Sequence, residues 1–244
     1  MKQTGKGIAR LLELTLMFSA LLGLAGCAGT EITTEELWQQ AMIDAVFSED
    51  NEVMELVTLT SEDPRVIWDE AGERVLLLTW HSAEDRYEPG QAMDGSGEIW
   101  ATSAGEMIDW YEANGQDVKN WTLRFAQLLG IPGDTDYGQF TAFWAHPKDV
   151  IRPAYETDVA SQVKNDYGLV SQGAYKEWFD ANILWSYFES EYPWTRLGYT
   201  YDWSGETSEY GLTEFLLFDG ETSQVEFTLP TLEFVNWLED QTTN

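Results

Sequence analysis

Arg74-Val75-Leu76-Leu77-Leu78-Thr79-Trp80 is the stretch on which the fold turns. Its four consecutive apolar side chains leave no polar phase, unlike a surface strand that alternates in and out of water. A strand covered on both faces reads this way, so 74–80 is expected to be central in a sheet. Working back from it, Asp69-Glu70-Ala71-Gly72 has hairpin character and joins it to a second strand expected over 65–68. Another strand is expected over 53–59. Working forward, Glu98 to Thr102 is a short strand. Ser103 and Glu106 then form a capping box before Met107, Ile108 and Tyr111, which share one helical face as far as Asn114-Gly115.

The same reading extends to both ends. Thr33 and Glu36 make another capping box, opening a helix through residue 47 in which Trp38, Met42, Ala45 and Val46 repeat at helical spacing. A helix over 118–129 is stopped by Gly130-Ile131-Pro132-Gly133. Gln139 to Ala145 is a strand, and 147–151 a helical turn. An aromatic-rich helix covers 171–189, strands follow at 212–218 and 225–228, and Pro230 opens a last helix. Strands and helices mix without regular βαβ alternation. The expected fold is therefore α+β, a mainly antiparallel or mixed sheet with several packed helices in one domain.

Composition narrows the function. The 244 residues carry 13 Lys+Arg, 43 Asp+Glu and 2 His, a net charge of −30. Nucleic acid is excluded as a partner, because binding it needs basic patches. One Cys excludes an internal disulfide and Cys-rich metal sites, and two His leave little room for a His-based centre. No cofactor is expected: there is no Walker-type or dinucleotide-binding glycine loop, and no Gly-x-Ser-x-Gly nucleophile. The acidity fits a solvated surface, adaptation to salt, or calcium held by clustered carboxylates.

The N-terminus is basic at Lys2, Lys6 and Arg10. An apolar stretch of 13 residues then runs from Leu14 to Gly26, with Glu13 just before it. A membrane span needs about 20 residues, so this length suits a signal-peptide core. It ends in Leu24-Ala25-Gly26-Cys27, which resembles the lipobox of bacterial lipoproteins. The resemblance implies cleavage after Gly26, diacylglycerylation of the Cys27 thiol and acylation, commonly with palmitate, of its new amino group. Several acyl chains anchor a protein stably. Residues 1–26 are then a signal peptide, 27–32 a lipid-anchored tether and 33–242 the domain. Ala28 after the cysteine implies the outer membrane in a two-membrane bacterium. In a one-membrane bacterium the anchor implies the outer face of the cell membrane. Losing residues 1–26 removes three of the 13 basic side chains and one of the 43 acidic ones, taking the charge from −30 to −32.

The densest segment is Tyr192-Pro193-Trp194-Thr195-Arg196-Leu197-Gly198-Tyr199-Thr200-Tyr201-Asp202-Trp203. Flat rings cover apolar or sugar faces, and Arg and Asp orient hydroxyls. Trp194, Arg196, Tyr199, Tyr201, Asp202 and Trp203 are thus candidate binding residues; the alternative is a long aromatic loop covering the core. This segment, Phe140 to Trp144 and the W-x-x-P-x-D-x-x-R-P run from Trp144 to Pro153 resemble a group of bacterial exported proteins. The likeness covers about residues 98–218 and implies a shared fold, without a reaction.

His146, Asp149 and Arg152 suggest an acid/base pair beside an anion-binding Arg, or a local ion pair between two prolines. His81 and His146 with Asp ligands suggest a metal site, although no spacing fixes one. Asp94 to Glu98 and Gly133 to Asp136 read as acidic turns rather than calcium loops.

The leading expectation is a noncatalytic, lipid-anchored envelope protein that binds a glycan or protein partner through an aromatic surface. An envelope hydrolase using Asp/Glu and a structural or assembly lipoprotein are the alternatives. A binding module should present Trp194, Tyr199 or Trp203 in a groove, and an enzyme should bring two carboxylates together with one pKa raised.

Overall fold

The computed structural model describes residues 32–82, 87–93, 97–206, 208–220 and 222–243. In chain order the elements are α1 (Thr34–Asp44), β1 (Val75–His81), β2 (Ile99–Ser103), α2 (Ala104–Asn114), α3 (Trp121–Leu128), β3 (Gln139–Ala145), α4 (Ala174–Leu184), β4 (Tyr199–Tyr201), β5 (Tyr210–Leu217), β6 (Gln224–Pro230) and α5 (Thr231–Thr242). The six strands form one open sheet in the order β4-β5-β2-β1-β3-β6, and every pairing is antiparallel. The protein is a single α+β domain. β1 lies inside this sheet as expected, with Leu77 opposite both Phe143 of β3 and Ser103 of β2.

Both faces of β1 are covered, which explains its unbroken apolar run. Leu76, Leu78 and Trp80 pack with Trp38, Met107, Phe125, Phe234 and Leu238 from α1, α2, α3 and α5. Val75 and Leu77 pack on the other face with Phe143, Phe215 and Val225, under irregular chain carrying Val57, Leu59, Val66, Val150 and Val159. A third cluster joins Phe179 of α4 to Tyr155, Trp194, Leu197 and Tyr199.

Several local expectations are corrected. Residues 53–59 and 65–68 are not strands; the second contributes only an isolated bridge, Trp68 to Val75. Side chains take their backbone groups instead. Leu56 N–H donates to Gln162 Oε1 (2.8 Å), and Val57 N–H to Thr213 Oγ1 (2.8 Å). Arg65 Nη2 donates to the Leu56 carbonyl at 3.1 Å. The capping box at Ser103 does not form, although its helix does: Ser103 Oγ donates to the Arg65 carbonyl (2.7 Å) and Glu106 turns toward β5. Helix α3 starts later than expected, where the Asn120 side chain accepts from Leu123 N–H at 3.2 Å. Its end is a left-handed Gly130 (φ 65°), with Ile131 N–H donating to the Ala126 carbonyl at 2.8 Å. The aromatic helix is α-helical only from 174 to 184 and continues as one π-helical stretch, Trp185–Glu189. β4 was not anticipated.

Candidate functional site

The aromatic segment 192–203 folds mostly inward. Trp203 is buried, and its indole N–H is shared between the Ala126 and Ile131 carbonyls (3.1 and 3.0 Å), tying the segment to the end of α3. Trp194 is buried too and donates to the Pro153 carbonyl at 3.1 Å. Tyr199 reaches the Glu52 carbonyl and Glu209 (3.1 and 3.0 Å), and the Tyr201 hydroxyl donates to Asp44 at 2.7 Å.

Arg196 and Asp202 have separate partners. Arg124 clamps both oxygens of Asp202 (3.1 and 2.6 Å), an ion pair shielded on both sides. Arg196 adopts a left-handed φ of 61° and donates to the Ala45 and Val46 carbonyls, 3.0 and 2.9 Å away. Those carbonyls follow α1, so the arginine ties the segment to that end of the chain. The two residues are thus anchors of the fold rather than edges of one shared platform.

Four aromatic residues of the segment nevertheless wall a cavity of about 280 Å³: Tyr192, Trp194, Tyr199 and Tyr201, with Pro193 and Thr200 between them. This is near the lower end of small-molecule sites. Leu78, Trp80, Trp100, Thr102 and Glu214, from β1, β2 and β5, line it where the sheet faces the helices. The Gly130 turn, Tyr137 and the π-helical Trp185 and Ser186 complete the enclosure. Trp185 stacks on Tyr192 with ring centres 5.5 Å apart and planes at 14°. Trp100 meets Trp194 edge-on at 6.3 Å, and Trp80 meets Tyr137 edge-on at 5.4 Å. A π-helical turn widens the backbone spiral and is frequent at functional sites.

Glu214 is the chemically distinctive member. It sits opposite Thr102, which sits opposite Leu78, so it stands well inside the sheet. Its Oε2 is shielded from solvent and has no hydrogen-bond partner among the described residues. Desolvation alone pushes this carboxyl up to about 8. The residue keeps intermediate exposure overall, and the shielding falls on Oε2, one of its two carboxyl oxygens. Exposed Glu98 also lines the cavity, but its Oε1 accepts from the Trp178 indole at 2.6 Å. Glu98 lies just before β2, four residues from the Thr102 that faces Glu214, so about 13 Å of extended chain separates it from the Glu214 row.

The histidine readings separate spatially. His81 pairs with Gln139 at one end of the β1–β3 ladder, whereas His146 follows Ala145, which pairs with Val75 at the other. Six residues of strand, about 20 Å, lie between them and preclude a shared ion. His81 Nε2 bonds Thr141 Oγ1 (2.7 Å) and His146 Nδ1 bonds the Glu73 carbonyl (3.0 Å). Asp149 accepts from Thr222 at 2.8 Å. Arg152 is fully buried, donates to the Val57 carbonyl at 3.0 Å, and is pushed down to about 10 by desolvation. No acid/base pair forms among these three.

One acidic cluster is new: carboxylate oxygens of Asp44, Glu52 and Glu209 lie within 4.8 Å of one another. Desolvation first, then mutual repulsion, raises the pKa of Glu52 and Glu209. Such oxygens are the donor type a hard cation takes. Cys27 and residues 94–96 of the first acidic turn lie outside the described residues. The second turn closes with Thr135 N–H on the Pro132 carbonyl, 3.2 Å away.

Fold and cavity together define an α+β domain with an aromatic-walled pocket against one sheet face. No family model, curated protein or solved structure matches the chain.

Proposed function

We propose that this is a lipid-anchored cell-envelope protein that binds a small ligand, without turnover, in the aromatic cavity. The carrying observation is that Tyr192, Trp194, Tyr199 and Tyr201 meet around about 280 Å³ of space instead of filling it. Aromatic walls with a small number of polar groups are the usual composition of a small-molecule site. The anchor rests on Leu24-Ala25-Gly26-Cys27. No helix among the described residues is long and apolar enough to cross a membrane.

Thermal unfolding of the full chain in nonionic detergent, against glycans, peptidoglycan fragments and small organic molecules, tests the binding. A ligand of the folded state raises the midpoint by mass action. Thr102→Phe places a ring in the cavity and should erase the rise. An equal rise in that variant would remove the cavity from the account. For the anchor, Cys27→Ser should accumulate as an unlipidated precursor, read by intact mass.

The hydrolase alternative has one observation behind it: Glu214, raised to about 8, holds its proton at neutral pH as a general acid must. Product release from envelope glycans, lost in Glu214→Gln, would establish that reading instead.

A further inference from the structure

The charge on the cavity wall has one sign. Its residues include Glu98 and Glu214 and no Lys or Arg among those described. Most other polar groups there are engaged within the protein. Trp178 takes Glu98, the Leu128 carbonyl takes the Thr200 hydroxyl (2.7 Å), and Asp44 takes the Tyr201 hydroxyl (2.7 Å). Glu214 differs, since its shielded Oε2 lacks any hydrogen-bond partner. Buried carboxyl oxygens are ordinarily satisfied, so a carboxyl on a cavity wall with an unpartnered oxygen points to a positive or hydrogen-bonding group that arrives from outside. Aromatic faces attract positive charge through their quadrupoles, and most strongly where water is excluded. The net charge of −30 also concentrates cations around the molecule.

We propose that the cavity takes a small organic cation, with its ammonium group held at the Glu214 carboxylate and its apolar body against the surrounding aromatic rings. This rests on the cavity being the ligand site, and it specifies the ligand's chemical class.

Calorimetric titration of the full chain at low salt and about pH 8.5, above the value near 8 at which the Glu214 carboxyl loses its proton, separates the possibilities. One probe pair is choline and its neutral tert-butyl analogue, in which carbon replaces the ammonium nitrogen. The other is benzylammonium and benzyl alcohol. The cations should bind at least about tenfold more tightly than their neutral counterparts. Glu214→Gln, which keeps the size and removes the charge, should abolish most of that preference and leave the neutral probes unchanged. The wild-type comparison needs no variant, so a misfolded mutant does not blunt it.

Equal binding of charged and neutral probes overturns the cation and leaves the cavity site standing. A cation preference that survives in Glu214→Gln likewise overturns the assignment to Glu214. Silence from both pairs also overturns the cation. The cavity reading falls separately, when Thr102→Phe responds like wild type in the wider thermal screen.

Discussion

The two sides of β5 treat buried carboxyls in opposite ways at neighbouring residues. Beside Thr213, buried Glu106 accepts from Thr213 N–H (2.8 Å), from Thr213 Oγ1 (3.1 Å) and from the Tyr210 hydroxyl. The positive charges of Arg65 and Arg152 act on the same group. One residue on, Glu214 Oε2 meets no partner, and no charged side chain moves its titration. Desolvation raises both pKa values. A carboxyl that is desolvated and satisfied belongs to the fold. One that is desolvated, unsatisfied and on a cavity wall is a liability for the empty protein, and its use is to be sought in a ligand.

The comparison breaks most visibly at Glu106. Glu106→Ala removes the acceptor of three hydrogen bonds and the charge that faces Arg152 and Arg65. It should lower the unfolding free energy by about 4 kcal/mol. Denaturant unfolding at pH 7 reads this; a loss below ~1 kcal/mol would mean the network is not structural.

Glu214→Gln should act with the opposite sign. The folded carboxyl titrates near 8, well above its unfolded range. As pH rises the unfolded chain loses this proton first, so the unfolded state binds fewer protons and stability falls through that window. Glutamine has no such term. The variant should match wild type at pH 4 and exceed it by about 3 kcal/mol at pH 8, after allowance for water reaching the cavity. His81 and Glu98, which also line the wall, lie three and four residues along the chain from the Leu78–Thr102–Glu214 row. A difference between the proteins that stays constant with pH would place the Glu214 charge in water.

Arg124→Met probes the aromatic segment on the same logic, because Asp202 is left shielded without its clamp. A loss of about 2 kcal/mol is expected, with the cavity's ligand response intact. If ligand response vanishes while stability holds, Asp202 belongs to the site after all.

Legibility followed the range of the interactions. Gln139–Ala145 is a strand at the bounds its own pattern suggests, and Pro230 does precede a helix. Residues 53–59 looked equally strand-like. Their backbone, however, is satisfied by Gln162 and Thr213, over a hundred residues away, and no local pattern encodes that. Within 192–203, aromatic density singled out the segment but did not show that Trp194, Tyr199 and Trp203 are buried rather than exposed on a platform. Arg196 and Asp202 looked paired only because they are neighbours in the chain. Glu214 was hidden among 43 acidic residues. Its signal was local all the same: it is the only charged residue in the eight-residue strand Tyr210–Leu217.

The smallest expected change in stability belongs to Trp185, and it sharpens the contrast between core and site. Trp203 is 2% exposed and donates to two carbonyls, whereas Trp185 is 46% exposed and stacks only on Tyr192. Little apolar area is lost to water when a ring already half in water is removed. Trp185→Ala should therefore cost under about 1 kcal/mol and move the unfolding midpoint by no more than ~4 °C. The same ring forms part of the cavity wall beside Tyr192. Its loss should weaken choline binding by about tenfold, because one desolvating aromatic face is gone. Near-normal stability with weakened binding is the signature of a residue placed for a ligand. A large drop in stability would instead assign Trp185 to packing, and unchanged binding would move the contact surface deeper, toward Trp100 and Trp194.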